Sequence, residues 1–263
     1  MGRYYDTPRA GYSWFNYKIP TEVAALEAIQ TVNSKDAAID EMRRWLLQEK
    51  RTQAWDTPIN SVNAIYAFLN ASSSLNASGA QTTLAIDGET LKTPQATAAM
   101  GYVKTAVNEP EGRTFTASKT SEGTSWGALY AQFMQKTYEV EEAESGLSIK
   151  REIVPTASVG DRIVVRIIIE ASRDLDFVQV VDRRAACMEP VRQLSGYQNG
   201  AYVSPKDCST NYYYYSMPKG RHEIVTEYYI DRAGCYETGT CTVGCAYAPE
   251  FRAIAPSVSI NVK

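Results

Sequence analysis

The 263-residue sequence predicts an α+β fold, a short antiparallel α-helical segment followed by antiparallel β-sandwich modules. Apolar residues recur at helical spacing between about residues 20 and 70. From about residue 80 they alternate instead, with Gly or Pro between most of the candidate strands. No second helical region follows, so the strands lack the crossover helices a parallel sheet requires, and antiparallel sandwiches are expected.

The first helix, about residues 20 to 32, places Ile19, Val23, Leu26 and Ile29 on one face. The second, about residues 35 to 50, carries Ile39, Met42, Trp45 and Leu46 on a stripe. Asp36, Asp40 and Glu41 stand early in it and Lys50 and Arg51 late, as the helix dipole favours. The third opens with Thr57 as N-cap and Pro58 at the first helical position, where the missing N–H costs nothing. Its spacing turns Ile59, Val62, Tyr66 and Leu69 inward, and it ends near Asn70. Short connections make the helices antiparallel neighbours, but helices with one apolar face each need further partners to close a core.

Leu84 and Ile86 followed by Asp87-Gly88 predict a two-residue hairpin. Further strands are expected around 98–107, 113–118, 127–140, 147–154, 161–171, 176–182, 210–217, 222–230, 240–247 and 257–263. The polar run from Glu141 to Gly146 marks a boundary, after which residues 147–263 are expected to form one antiparallel sandwich of about seven strands.

Composition excludes several function classes. The 44% apolar and 22% charged fractions are those of a folded globular chain. With 27 basic and 30 acidic residues, and no basic stripe interleaved with aromatics, a nucleic-acid partner is not expected. The densest apolar run, Ile163 to Ile169, is strand-length and interrupted by Arg166, far short of the ~20 residues of a transmembrane helix. Eighteen tyrosines against six phenylalanines suit half-exposed sheet faces, because Tyr joins apolar area to a wet end. The start, Met1-Gly2-Arg3-Tyr4-Tyr5, lacks the basic and apolar segments of a signal peptide; with Met1-Gly2 an added start, the true N-terminal part is expected upstream.

The residues offer little for catalysis. His222, the single histidine, opens a strand and reads as structural; alone it builds neither a His-rich zinc site nor a histidine dyad. Glu141 with Glu142, and Asp174 with Asp176, would serve glycoside hydrolysis only across a cleft, and read as strand ends and turns. Gly196 and Gly200 lie in a Tyr- and Asn-containing loop without the Lys-Ser/Thr ending or following helix of a phosphate loop. No catalytic residue, cofactor or metal ligand is expected. Cys187, Cys208, Cys235, Cys241 and Cys245 cluster in the last part of the chain, without the close pairs of a zinc site. Cys241 and Cys245, four apart on a strand and so ~13 Å distant, are too far apart to bridge. Cys235 and Cys241 flank a turn-like stretch and form the candidate disulfide, against the alternative that the cysteines are buried small hydrophobes.

Several segments together resemble bacterial alpha-2-macroglobulin-like proteins of the Bacteroides type. Gly11-Tyr12-Ser13-Trp14 leading into Ile19 to Ile29, Trp45-Leu46-Leu47-Gln48 and Trp55-Asp56-Thr57-Pro58-Ile59-Asn60 look like the closing helices of the family's thioester-type α/α-toroid domain. Trp126-Gly127-Ala128-Leu129-Tyr130 is similar to the returning half of the CUB-like sandwich that holds the toroid. The last part matches best, in Gly146-Leu147-Ser148-Ile149-Lys150-Arg151, Val159-Gly160-Asp161, Arg173-Asp174-Leu175-Asp176-Phe177-Val178, Glu189-Pro190, Pro218-Lys219-Gly220 and Tyr247-Ala248-Pro249-Glu250-Phe251.

The resemblance implies terminal toroid helices over 1–78, a CUB-like sandwich half over 79–145 and a C-terminal macroglobulin-type sandwich over 146–263. It implies the non-catalytic C-terminal part of a protease-trapping inhibitor, periplasmic or anchored at the cell surface. The implied partners are upstream domains of the same full-length chain and, in the intact protein, target proteases. The family's Cys–Gln thioester pattern is absent, Cys187-Met188-Glu189-Pro190 coming nearest without the Gln, so no reactive residue carries over. A rival reading is a surface β-sandwich adhesin or glycan-binding module using Tyr212 to Tyr215, of which alternation leaves only two on one surface. An α/α-toroid enzyme would need several more helices and facing carboxylates.

Overall fold

The computed structural model describes residues 2–5, 18–52, 55, 57–69, 82–92, 103–108, 114–120 and 127–263, with the side chains of 68 and 69 excepted. The stretches at 11–14 and 70–78, Trp126, and the expected strand residues 98–102 lie outside the described residues. The chain divides into two compact units, one of Met1–Tyr4, Asp40–Asp56 and Gln132–Lys263, the other of Tyr5–Ile39 and Thr57–Ala131.

Three helices occur where the periodicity places them: α1 over Lys18–Val32, α2 over Ala37–Thr52 and α3 over Pro58–Leu69. Asp36 proves to be a cap, its Oδ1 accepting the Ala38 N–H at 2.9 Å. The Thr57 hydroxyl accepts the Asn60 N–H at 3.1 Å, the N-cap bond expected before Pro58. Ile19, Val23 and Leu26 of α1 are buried, as are Ile39, Met42, Trp45 and Leu46 of α2.

The face of α3 is a correction. α1 packs on α3, but α3 buries Asn60, Ala64 and Ala67, while Ile59, Val62, Ile65 and Tyr66 are 49–67% exposed. Small side chains allow close approach of two helices, and here that approach selects the alanine face over the larger apolar stripe.

In the same unit, β1 (Thr82–Ile86) and β2 (Glu89–Thr90) form the expected hairpin, with Asp87 and Gly88 at φ 49° and 86°, the left-handed pair such a turn requires. β3 (Phe115–Lys119) pairs antiparallel with β1, completing the three-stranded order β2-β1-β3. Residues 103–108 and 127–136 carry no regular strand, and the only regular structure at 137–140 is a single 3₁₀ turn over Thr137–Glu139, so the strands expected there are not formed.

The remainder is a β-sandwich. Its strands are β4 (Ala143–Ser145), β5 (Leu147–Glu152), β6 (Thr156–Ala157), β7 (Arg162–Ala171), β8 (Leu175–Arg183), β9 (Met188–Pro190) and β10 (Gly196–Gln198). β11 (Ala201–Pro205), β12 (Ser209–Met217), β13 (Gly220–Ile230), β14 (Gly234–Glu237), β15 (Cys241–Cys245), β16 (Arg252–Ala255) and β17 (Ser259–Val262) follow. One sheet has the order β10-β11-β12-β8-β15-β16-β4, the facing sheet β5-β7-β13-β9, and a small third sheet β14-β17-β6. Every pair in the two large sheets is antiparallel, whereas β17 and β6 run parallel. Thirteen strands thus lie between Leu147 and Val262 in place of about seven, because short hairpins and edge pieces extend the long strands.

Alternation decides which face is inside. β7 buries Ile163, Val165, Ile167, Ile169 and Ala171 and presents its intervening side chains outward. They meet Val178, Val180, Tyr212, Tyr214, Val243 and Ala253 of the opposite sheet in one core. The hairpin β10–β11 is a second correction, since its residues read as a loop in the sequence. It turns on Asn199 and Gly200 at φ 47° and 82°, a dipeptide that signals this turn.

The chain crosses from the seven-stranded to the four-stranded sheet between β4 and β5, at Gly146. Gly146 has φ +68°, and a Cβ there would lie 2.5 Å from a ring carbon of Phe251. Gly146→Ala is therefore expected to destabilise the chain by about 2–3 kcal/mol in urea unfolding, through left-handed strain and overpacking. Adding Phe251→Ala should recover the overpacking part.

Candidate functional site

Two features of the sandwich concentrate chemistry, a polar centre buried between the sheets and an aromatic outer face. The first is organised by Arg151 on β5. Its side chain and that of Asp182 on β8 are each 2% exposed, and Arg151 Nη1 donates to Asp182 Oδ1 at 3.1 Å. Nη1 also donates to the Arg183 carbonyl at 3.1 Å. Nη2 donates to the Thr238 hydroxyl at 2.7 Å and to the carbonyls of Gly239 and Pro256 at 2.6 and 2.8 Å. One guanidinium thus joins the four-stranded sheet to the seven-stranded sheet and two loops. Its Nε is buried without a hydrogen-bond partner.

Hydroxyl and thiol groups surround this pair. Tyr228, fully buried on β13, shares a 3.1 Å hydrogen bond with Thr210, and Tyr212 shares one with Thr226. Burial pushes both phenols well above their ordinary range, so they are neutral hydroxyls whose hydrogen bonds tie β12 to β13. Burial likewise raises Cys241 well above the usual thiol range, with the Asp182 carboxylate adding to the shift. Asp182 is itself raised by burial, against the pull of the Arg151 cation and the bonds from Arg151 and Cys241. A raised thiol and neutral phenols are poor nucleophiles and bases near neutral pH, so this centre is chemically structural.

The other residues weighed from the sequence lie apart from it. His222 stands in β13, its Nε2–H donating to the Pro218 carbonyl at 2.7 Å. Glu141 and Glu142 are exposed. Asp174 accepts the Lys219 N–H at 2.8 Å across a turn, and Asp176 is buried on β8. Among the described residues, no three His, Cys, Asp or Glu side chains could hold one metal ion.

All five cysteines are free thiols. Cys235, exposed on β14, donates to Asn261 Oδ1 at 3.8 Å, while Cys241 points into the core from β15. The two belong to different sheets and the structure does not bring them together. Arg151 was not singled out as functional in the sequence; its signal, an Arg two residues after the buried Ile149 in a strand, is shared by many surface residues.

The aromatic face is the outer side of the seven-stranded sheet. Tyr197 on β10 stands directly opposite Tyr202 on β11, and Tyr202 directly opposite Tyr213 on β12. Tyr212 and Tyr214 point into the core, so the four-tyrosine run splits between the faces as alternation requires. Beside this row, Phe177 is held at φ 58°, a left-handed backbone that costs about 1–3 kcal/mol in a bulky residue. The Phe177 carbonyl accepts the Ala246 N–H at 2.9 Å, and the Phe177 ring makes edge-to-face contacts at 5.1 Å with both Tyr215 and Tyr247.

The region that builds both features has a recognisable ancestry. Residues 133–250 match the model of the Bacterial Alpha-2-macroglobulin MG10 domain. The matched stretch, a little under half of the chain, thus resembles that domain of the bacterial alpha-2-macroglobulins. Among solved structures, the chain is similar to trypsin-activated alpha-2-macroglobulin from Escherichia coli, at 13% identity and a TM-score of 0.47, covering 95% of this chain and 19% of that one. The Escherichia coli protein activated by porcine elastase gives 15% identity and a TM-score of 0.47, covering 94% and 24%. Salmonella alpha-2-macroglobulin reacted with methylamine gives 17% identity and a TM-score of 0.41, covering 98% and 18%. The chain thus spans a quarter or less of each of these macroglobulins. No curated protein matches the sequence.

The sandwich's stability should depend on the buried ion pair. Arg151→Met leaves Asp182 buried without its cation and is expected to cost about 3–5 kcal/mol in urea unfolding. An Asp whose folded pKa lies above its unfolded value stabilises most below the ordinary Asp range, and that contribution is lost as pH rises through the raised value. The stability of the wild type relative to Asp182→Asn should therefore fall as pH rises from about 4. A thiol reagent should label Cys208 and Cys235 in the native protein and reach Cys187, Cys241 and Cys245 only on unfolding, as their exposure dictates.

Proposed function

We propose that this chain is the non-catalytic C-terminal part of a macroglobulin-like protease-trapping protein, where it acts as a structural and interaction module. The observation that carries the proposal is the MG10 match over residues 133–250. The way the sandwich spends its buried polar groups supports it. Arg151, Asp182, Tyr212 and Tyr228 are bound to backbone or to one another, which suits a rigid body that transmits a rearrangement between domains.

In this reading residues 1–78 are the terminal helices of a thioester-type α/α toroid, 79–145 half of a CUB-like sandwich and 146–263 the macroglobulin-type sandwich. The uncovered Ile59, Val62 and Tyr66 of α3 support the toroid assignment, since an apolar stripe of that kind suits a further layer of helices. The module's partners are then upstream domains of its own full-length chain, and the intact protein's targets are proteases outside the cytoplasm, in the periplasm or at the cell surface. No described helix is long and apolar enough to cross a membrane.

The chain by itself should neither inhibit a panel of proteases nor turn over common ester and glycoside substrates. In the intact polypeptide, deletion of residues 133–263 should abolish protease trapping. Saturable turnover by this chain that one point substitution removes, or undiminished trapping after the deletion, would overturn the reading.

A further inference from the structure

We infer that the outer face of the seven-stranded sheet is a binding surface for a neutral polysaccharide, laid across the strands over the row Tyr197, Tyr202 and Tyr213. These three are directly opposed on adjacent strands, so the row advances by the strand spacing of about 4.8 Å per tyrosine and spans a length comparable with a disaccharide. Tyr197 is 85% exposed, and its ring stands edge-on to that of Tyr202 at 5.2 Å, forming a wall beside a platform. A phenol ring offers an apolar face and a polar tip, the same division as a pyranose ring with its C–H face and hydroxyl rim.

The register continues the row in matching chemistry. Tyr213 is opposite Gln179, Gln179 opposite Gly244, and Gly244 opposite Arg252. The planar amide and guanidinium groups can each hydrogen-bond a pair of neighbouring hydroxyls. Gly244 lies between them without a side chain, leaving a shallow trough in line with the tyrosines. Neither this row nor the adjacent one of Asn211, Val181, Thr242 and Ile254 carries a carboxylate, so recognition along these two rows falls to the phenols, the amide and the guanidinium, none of which requires an anionic or cationic ligand. The phenol rings, the amide and the guanidinium thus set stacking faces and paired hydrogen-bonding groups along one line, which suits a sugar chain laid along it. Phe177 extends the aromatic strip beside the row, its strained backbone holding its ring between Tyr215 and Tyr247.

The test is calorimetric titration of the 263-residue chain with cellohexaose and with chitohexaose. Saturable binding to at least one is expected, weakened about tenfold or more in Tyr202→Ala and in Tyr213→Ala, and unchanged in Tyr229→Ala on the opposite sheet. Gly244→Leu supplies a readout even where a tyrosine variant fails to fold. A Cβ at Gly244 meets nothing closer than 3.8 Å, so the variant should melt with the wild type while its side chain blocks the trough and removes binding. The proposal is overturned by the absence of saturable binding to either glycan or by affinity that survives Gly244→Leu. It is equally overturned by binding confined to dextran sulfate and lost only in Arg252→Ala, or by sedimentation showing that the face is taken up by a second copy of the chain.

Discussion

A buried cation joins the two sheets of the sandwich at its polar centre. Arg151 reaches from the four-stranded sheet to Asp182 in the other and to the carbonyls of Arg183, Gly239 and Pro256. Removing a guanidinium and a carboxylate from water costs several kcal/mol for each ion, and mutual attraction offsets this only when the remaining hydrogen-bonding capacity is also used. Two of the carbonyls that Arg151 collects, those of Gly239 and Pro256, lie in loops between strands, so the same bonds satisfy backbone acceptors outside the ladders. Around this point the apolar faces of both sheets align, since a shift of either sheet would separate the ions while both stay buried.

The neighbouring hydroxyls extend the same logic. Tyr228 and Tyr212 bring large apolar area to the core, and each finds a threonine for its phenol. The sequence's excess of tyrosine over phenylalanine thus has two separate structural uses. Inside, a tyrosine fixes the registry of facing strands through its hydroxyl; outside, it covers the sheet while remaining wet.

The strain at Phe177 lies where these two roles meet. β8 keeps one register with β12 through that residue, Asp176 lying opposite Ser216 and Val178 opposite Tyr214, so the left-handed backbone is accommodated without a slip in the ladder. Its aromatic ring is bracketed by Tyr215 and by Tyr247 from the loop after β15.

The sequence alone determined what depends on local periodicity and local chemistry. The three helices, the cap at Thr57, the Asp87-Gly88 hairpin, the alternation of β7 and the split of Tyr212 to Tyr215 are each encoded within a few residues. The macroglobulin likeness was legible in scattered short segments for the same reason, since turns such as Gly146 and Pro218-Lys219-Gly220 are set by backbone geometry. Only the tertiary structure decided which face of α3 is covered, because alanines and large apolar residues both recur at helical spacing and the neighbour α1 selects between them. It likewise decided that Arg151 is interior, that β10 and β11 add to the sheet, and that Cys235 and Cys241 occupy different sheets. These outcomes rest on pairing between residues distant in the chain, and period-two alternation names the face a side chain points to without naming what will lie across from it.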